Sequence, residues 1–337
     1  MKLRLTSCLI MMFALLAVDA SNANAASPGY RMIRAISTEG APETLSLAVD
    51  SAERRLYSAR DGGVDVYDLE TGRRLASVAT IGVPGAIEIA PEIRRGYVSN
   101  RDAGTVTLFD LQSLQVVATV RSGGFEPREV EFDATTRRIY VSNAGSGDLV
   151  AFDAISGSRR GAVKLGGRLR QASVDGRGHL FVADEAANVL HVVELGGKHE
   201  MNPVGTISVW PGVGPTAIAN DTRERRIYVA CSNGRMIIVD PDPGQMIGMV
   251  QVGGQGESGL AMQIAPARLV MLYMPNASGA LNVIQNAKLT ASLSESLNIG
   301  SRGVAAAFDD QTQQLFVVGS GGLLGVSKQA AGKSGGN

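Results

Sequence analysis

Apolar positions along this chain fall in short runs, many alternating with polar residues, and each run ends on Gly, Asn, Asp or a charged pair. Period-two spacing of that kind predicts β-strands, and no stretch between them carries an amphipathic helical pattern. Residues 127–165 show the grammar. Pro127 leads into EVEFD, ATTRR turns, IYVSN follows, AGSGD turns, LVAFD follows, AISGSRR turns, and GAVKL ends the unit. Four strands joined by tight turns make a meander.

The unit recurs. An aromatic flanked by apolar residues after a charged turn appears at Tyr57, Tyr97, Tyr140, Phe181, Tyr228, Tyr273 and Phe316, at intervals of 40, 43, 41, 47, 45 and 43 residues. A period of about 40–45 residues without helices is that of a four-stranded propeller blade. Seven units predict an all-β, seven-bladed β-propeller of four-stranded antiparallel blades. After GLLGVSK at 322–328 the seventh unit lacks a fourth strand, while RMIRAIS at 31–37 is a strand preceding the first unit. The N-terminal strand is therefore expected to complete the last blade and close the ring, which removes the open seam.

The heptads RRGYVSN (94–100), RRIYVSN (137–143) and RRIYVAC (225–231) carry a family resemblance. Tyr97-Val98-Ser99-Asn100 and Tyr140-Val141-Ser142-Asn143 resemble the YVTN-type (YncE-like) β-propeller repeat, with Ser in the Thr place. Phe181-Val182-Ala183-Asp184 and Tyr228-Val229-Ala230-Cys231 are degraded copies, and the units of Tyr57, Tyr273 and Phe316 are looser. The resemblance covers about residues 30–328. It implies a secreted or periplasmic seven-bladed ring and says little about substrate. On a strand Tyr140 and Ser142 point one way and Ile139 and Val141 the other, so both sides of a blade pack against neighbours and the repetition is structural first.

Composition adds a compartment. Lys2 and Arg4, the run CLIMMFALLAV and the small-x-small pattern at Ala23-Asn24-Ala25 predict a secretory signal peptide over 1–25. The apolar run is too short to span a membrane, and no transmembrane segment is expected. The layout expected is a leader over 1–25, a propeller over 26–328 and a flexible tail over 329–337. Losing Lys2, Arg4 and Asp19 takes 32 basic and 32 acidic residues to 30 and 31. Near-neutrality excludes a strong overall attraction to nucleic acid. Cys231, at the end of an apolar run, becomes the single thiol and is expected to be buried and inert.

Candidate chemistry is sparse. In a propeller the second-to-third strand turns and the interblade loops share the face around the channel mouth. Asn100, Asn143, Asp184, Asn233 and Asn276 fall in the former; Phe125, Glu126, Trp210 and Glu257 fall in the latter. The Asn/Asp set reads best as turn formers. Phe125 and Trp210 either stack on a ligand or fold down over the blade beneath. Aligned first strands put Arg128 and Arg170 in matching places near the mouth, with Glu88 and Glu131 matching one layer further in and Glu129 near them. These charges could hold an anionic ligand or a hard cation, against a plainer reading of internal salt pairing. Arginine pairs at 54–55, 73–74, 94–95, 137–138, 159–160 and 225–226 gather on the opposite face. They form a local Arg-rich surface for phosphates or, with Glu53, Glu70, Glu92 and Glu224 beside them, a self-paired one.

His179, His191 and His199 show no metal-ligand spacing. No CxxCH haem motif and no G-x-S-x-G elbow occur, one Trp cannot supply the docking pattern of the eight-bladed quinoprotein dehydrogenases, and the Gly-rich 253–259 precedes no helix. No cofactor or metal is therefore expected. The reading favoured is an exported non-catalytic binding or scaffold propeller whose channel mouth and loop face meet a small ligand, a protein or an envelope component. The alternative is a lactonase-like hydrolase or lyase with a cation-assisted site at the central channel, using Glu88, Glu129 or Glu131.

Overall fold

The computed structural model describes residues 29–37, 44–196, 200–253, 260–265, 269–276, 278–287, 290–300, 305–319 and 322–328. The leader expected over 1–25, the tail over 329–337, Glu257 and His199 lie outside the described residues. Seven four-stranded antiparallel sheets form a seven-bladed propeller. In blade three the strands are Pro127–Asp133, Arg138–Asn143, Asp148–Asp153 and Arg159–Lys164. The sequence grammar is thus met to within two residues at each end.

Each interface between consecutive blades holds one apolar cluster, and each cluster contains one repeat aromatic. Tyr57 lies between blades one and two, Tyr97 between two and three, Tyr140 between three and four, and Phe181 between four and five. Tyr228, Tyr273 and Phe316 take the last three places around the ring. All seven are essentially inaccessible to solvent. Burying such a side chain is worth about 1.5–3 kcal/mol, so the aromatic that marks the repeat also supplies much of its adhesion. The strand alternation holds: Ile139 and Val141 face blade two while Tyr140 faces blade four. Tyr97 adds a polar tie, its hydroxyl donating to the Ala154 carbonyl of blade three at 2.7 Å.

Closure is as expected. The strand Tyr30–Ser37 pairs antiparallel with Gly322–Lys328 and completes blade seven, Tyr30 opposite Lys328. Ion pairing reinforces the same seam, since Arg54 of blade one donates to Asp309 of blade seven at 2.7 Å.

The repeated Arg pair has a backbone cause. Arg54, Arg94, Arg137 and Arg225 each turn the chain from first to second strand with φ between 52° and 57°. The second arginine of each pair opens the next strand, and its side chain is half-buried. Arg95 bonds Asp110 at 2.8 Å, Arg138 pairs with Glu200 and Arg225 with Asp242, so this face is largely self-paired. Asp133, Asp153 and Asp221 end strands and accept backbone N–H groups two and three residues on, which fixes the turns. Among the described residues no helix is long and apolar enough to cross a membrane.

Candidate functional site

The inner strands of the blades enclose a central cavity of about 190 Å³ to which all seven blades contribute. Its charge is uneven. Glu88 of blade two and Glu129 and Glu131 of blade three line it, while the other blades offer Ser46, Gln171 and Thr216 among apolar residues. Register confirms that the first and last glutamates match, Glu88 standing opposite Tyr97 as Glu131 stands opposite Tyr140.

Both carboxyls are held toward the neutral form. Burial pushes Glu88 well above the usual carboxylate range, and the charges of Glu131, Glu92 and Glu129 add to it. Burial likewise raises Glu131 to about 8, with Asp133 and Glu129 contributing and a hydrogen bond from the Val174 N–H at 2.9 Å opposing. That bond ties blade three to blade four, and two others repeat it around the ring. Ile87 N–H donates to Ser46 Oγ at 3.2 Å, and Ile218 N–H to Gln171 Oε1 at 3.0 Å. Among the described residues no group of three or more His, Cys, Asp or Glu is arranged to hold a metal ion.

At the mouth Arg128 and Arg170 do occupy matching places. Each sits where the register of its inner strand shifts, between Pro127 and Glu129 and between Leu169 and Ala172. A bulge re-aims the side chain it carries. Both side chains are directed to glutamates of the mouth loops. Arg170 Nε donates to Glu185 Oε2 at 2.7 Å and Arg128 Nε to Glu126 Oε1 at 3.2 Å. Arg168 lies between these pairs, 3.6 Å from Glu185 and 3.9 Å from Glu126. Sequence alignment of the inner strands could not show Arg168 or Glu185, because both lie in loops.

The Asn/Asp set is structural. Asn100, Asn143, Asp184 and Asn276 are buried. Asn100 Nδ2 donates to Thr105 and Thr107, and Asp184 accepts from the N–H groups of Arg168, Ala186 and Ala187 and bonds His191 Nε2 at 3.1 Å. Asn233 does not belong to the series, because Cys231 occupies the register place of Asn143, opposite Pro215 as Asn143 is opposite Pro127. Phe125 and Trp210 are the most exposed large apolar residues described, at 77% and 75%. Neither folds down over its blade.

The chain is thus a seven-bladed β-propeller of the architecture that lactonases also use. The family model for "Lactonase, 7-bladed beta-propeller" matches residues 78–162, which run from the end of blade one's outer strand through blade two and all but the last two residues of blade three. A chain of a solved mitotic checkpoint complex superposes with a TM-score of 0.77 at 12% identity, covering 96% of this chain and 99% of that one. A chain of Kuenenia stuttgartiensis hydrazine synthase gives 0.73 at 13% identity, covering 87% and 97%. At such identities these two likenesses show the fold alone. No curated protein matches the sequence.

Proposed function

We propose that the chain is an exported, non-catalytic binding propeller of the YVTN type, presenting its channel mouth and surrounding loops to a ligand or envelope partner. The observation that carries this reading is the exposure of Phe125 and Trp210 on one face. Exposed aromatics beside arginines are the usual anchors of an interface. Glu88 and Glu131 in the channel beneath are held toward the neutral form, and the Arg-rich opposite face is largely self-paired. Leader sequence supports export.

A second reading keeps the lactonase-like hydrolase, because the family match falls on the two blades that carry Glu88, Glu129 and Glu131. One experiment separates them. Trp210 is the single tryptophan, so its emission reports anything that docks on the mouth face. Binding predicts a change in Trp210 emission with envelope fragments, weakened in a Phe125→Ala variant, and no turnover of sugar lactones. Lactone hydrolysis that needs an added divalent cation and is lost in Glu88→Gln/Glu131→Gln would replace the binding reading. Export is checked by cell fractionation, with N-terminal sequencing expected to begin at Ala26.

A further inference from the structure

Three successive interblade loops of the mouth face carry, in order, Phe125, Arg168 and Trp210. Their neighbourhood is joined through acidic side chains. Glu126, next to Phe125, and Glu185 both lie against Arg168, and a Cβ placed on Gly214 of the Trp210 loop would come within 3.7 Å of Glu185 Cγ. Among the described residues three arginines, Arg128, Arg168 and Arg170, here surround the two glutamates.

The three arginines differ in how they are held. Arg170 is 4% exposed and Arg128 15%, and each donates a close hydrogen bond to one glutamate. Arg168 is 46% exposed, stands beyond hydrogen-bond distance of both carboxylates, and donates no guanidinium hydrogen bond among the described residues. Its backbone is nevertheless fixed, the N–H bonded to Asp184 Oδ1 at 3.0 Å. A guanidinium held on an anchored loop with its fork unfilled suits a planar carboxylate, which it can bind with two parallel bonds.

We propose that Arg168 is the anion-binding residue of the mouth face, and that it takes a single carboxylate of an acidic peptide segment whose apolar side chains rest on Phe125 and Trp210. The proposal deepens the binding reading above and rests on it. Aromatic anchors around a central arginine are the composition of a protein-binding hot spot. A phosphate polymer is a poor fit, because it must be neutralised by several cations at once, whereas Glu126 and Glu185 place two negative charges beside the one available arginine.

The test pans a random heptapeptide library on the full mature chain and follows a selected peptide by Trp210 emission. Expected are peptides with Asp, Glu or a terminal carboxylate flanked by apolar residues. Their affinity should fall at least tenfold in Arg168→Gln and stay unchanged in Arg73→Gln, a substitution on the opposite face. Thermal melting of Arg168→Gln should match the parent, since the side chain is largely exposed. Selection of peptides without acidic residues, or full affinity in Arg168→Gln with loss in Phe125→Ala, overturns the role of Arg168 and leaves the binding face standing. Emission changes with a dT12 oligonucleotide that weaken steeply with salt overturn the peptide assignment alone. No response to peptides or oligonucleotide overturns both.

Discussion

Arg54 Nη1 lies 2.7 Å from Asp309 Oδ2, and this ion pair joins the first blade to the seventh. The Asp309 side chain is fully enclosed and that of Arg54 is 31% exposed. Burial by itself would raise the Asp309 carboxyl, but hydrogen bonds from Thr312, Ser51 and Arg54 hold it below the usual range. Removing the arginine leaves a buried charge short of a partner. We expect Arg54→Met to cost about 1–2 kcal/mol. Arg160→Met, which breaks an exposed pair within blade three, should cost less than about 0.5 kcal/mol. Denaturant unfolding of the two variants measures the difference, and equal effects would mean that the seam gains nothing from the pair.

Glu88 and Glu131 make stability fall as pH rises. Their folded-state values stand above the ordinary 4.5, Glu131 at about 8, so the folded chain keeps protons that the unfolded chain has released. The Glu131 contribution is full below about pH 4.5 and is lost progressively up to about 8, and that of Glu88 is lost in the same direction. Gln carries no proton to lose. Glu88→Gln/Glu131→Gln should therefore flatten the decline and raise stability at pH 8 by about 1–3 kcal/mol, after allowing for partial solvent access to the channel. Melting curves at half-unit steps from pH 5 to 8.5 check this, and an unchanged slope would assign the decline to other groups.

Gly96 stands opposite Phe109, and a Cβ there would lie 2.2–2.7 Å from three ring carbons. Phe109 is itself fully buried. Gly96→Ala should cost about 2–3 kcal/mol through overpacking. Because the clash is with one side chain, Gly96→Ala/Phe109→Leu should lose less than the sum of the single changes, a non-additivity that a double-mutant cycle reads directly.

Cys231 is fully enclosed, and burial pushes its thiol up to about 12. The thiolate is the reactive form. In native buffer at pH 8 the single cysteine of a chain beginning at Ala26 should not react with a disulfide reagent over the time in which urea-unfolded protein reacts completely. Rapid labelling of the native chain would contradict the packing around Gly212 and Cys231.

The ring was legible in the sequence because its two strongest signals, period-two apolar alternation and the recurring buried aromatic, are both local. Even closure could be inferred, since a missing last strand and a surplus first one are matters of counting. The mouth was harder. Arg128 and Arg170 aligned correctly, but their partners Glu126 and Glu185 lie in loops, and the bulges that direct the arginines to them leave no mark in the repeat. Asn233 matched the Asn series in composition only, because a two-residue offset placed Cys231 in the register position. The strand-ending aspartates were in plain view in EVEFD and LVAFD, yet their turn-fixing role emerges only from the N–H groups that converge on them.

The pairing of residue 30 with residue 328 also sets an order of events. During synthesis the first strand of the ring is made first and is the last to find its neighbour, because that neighbour lies at the far end of the propeller sequence. Contacts of such long sequence separation form slowly, and until then both strands present open hydrogen-bonding edges. The finished circle resists fraying for the same reason that it is slow to make: neither terminal strand can leave without opening blade seven.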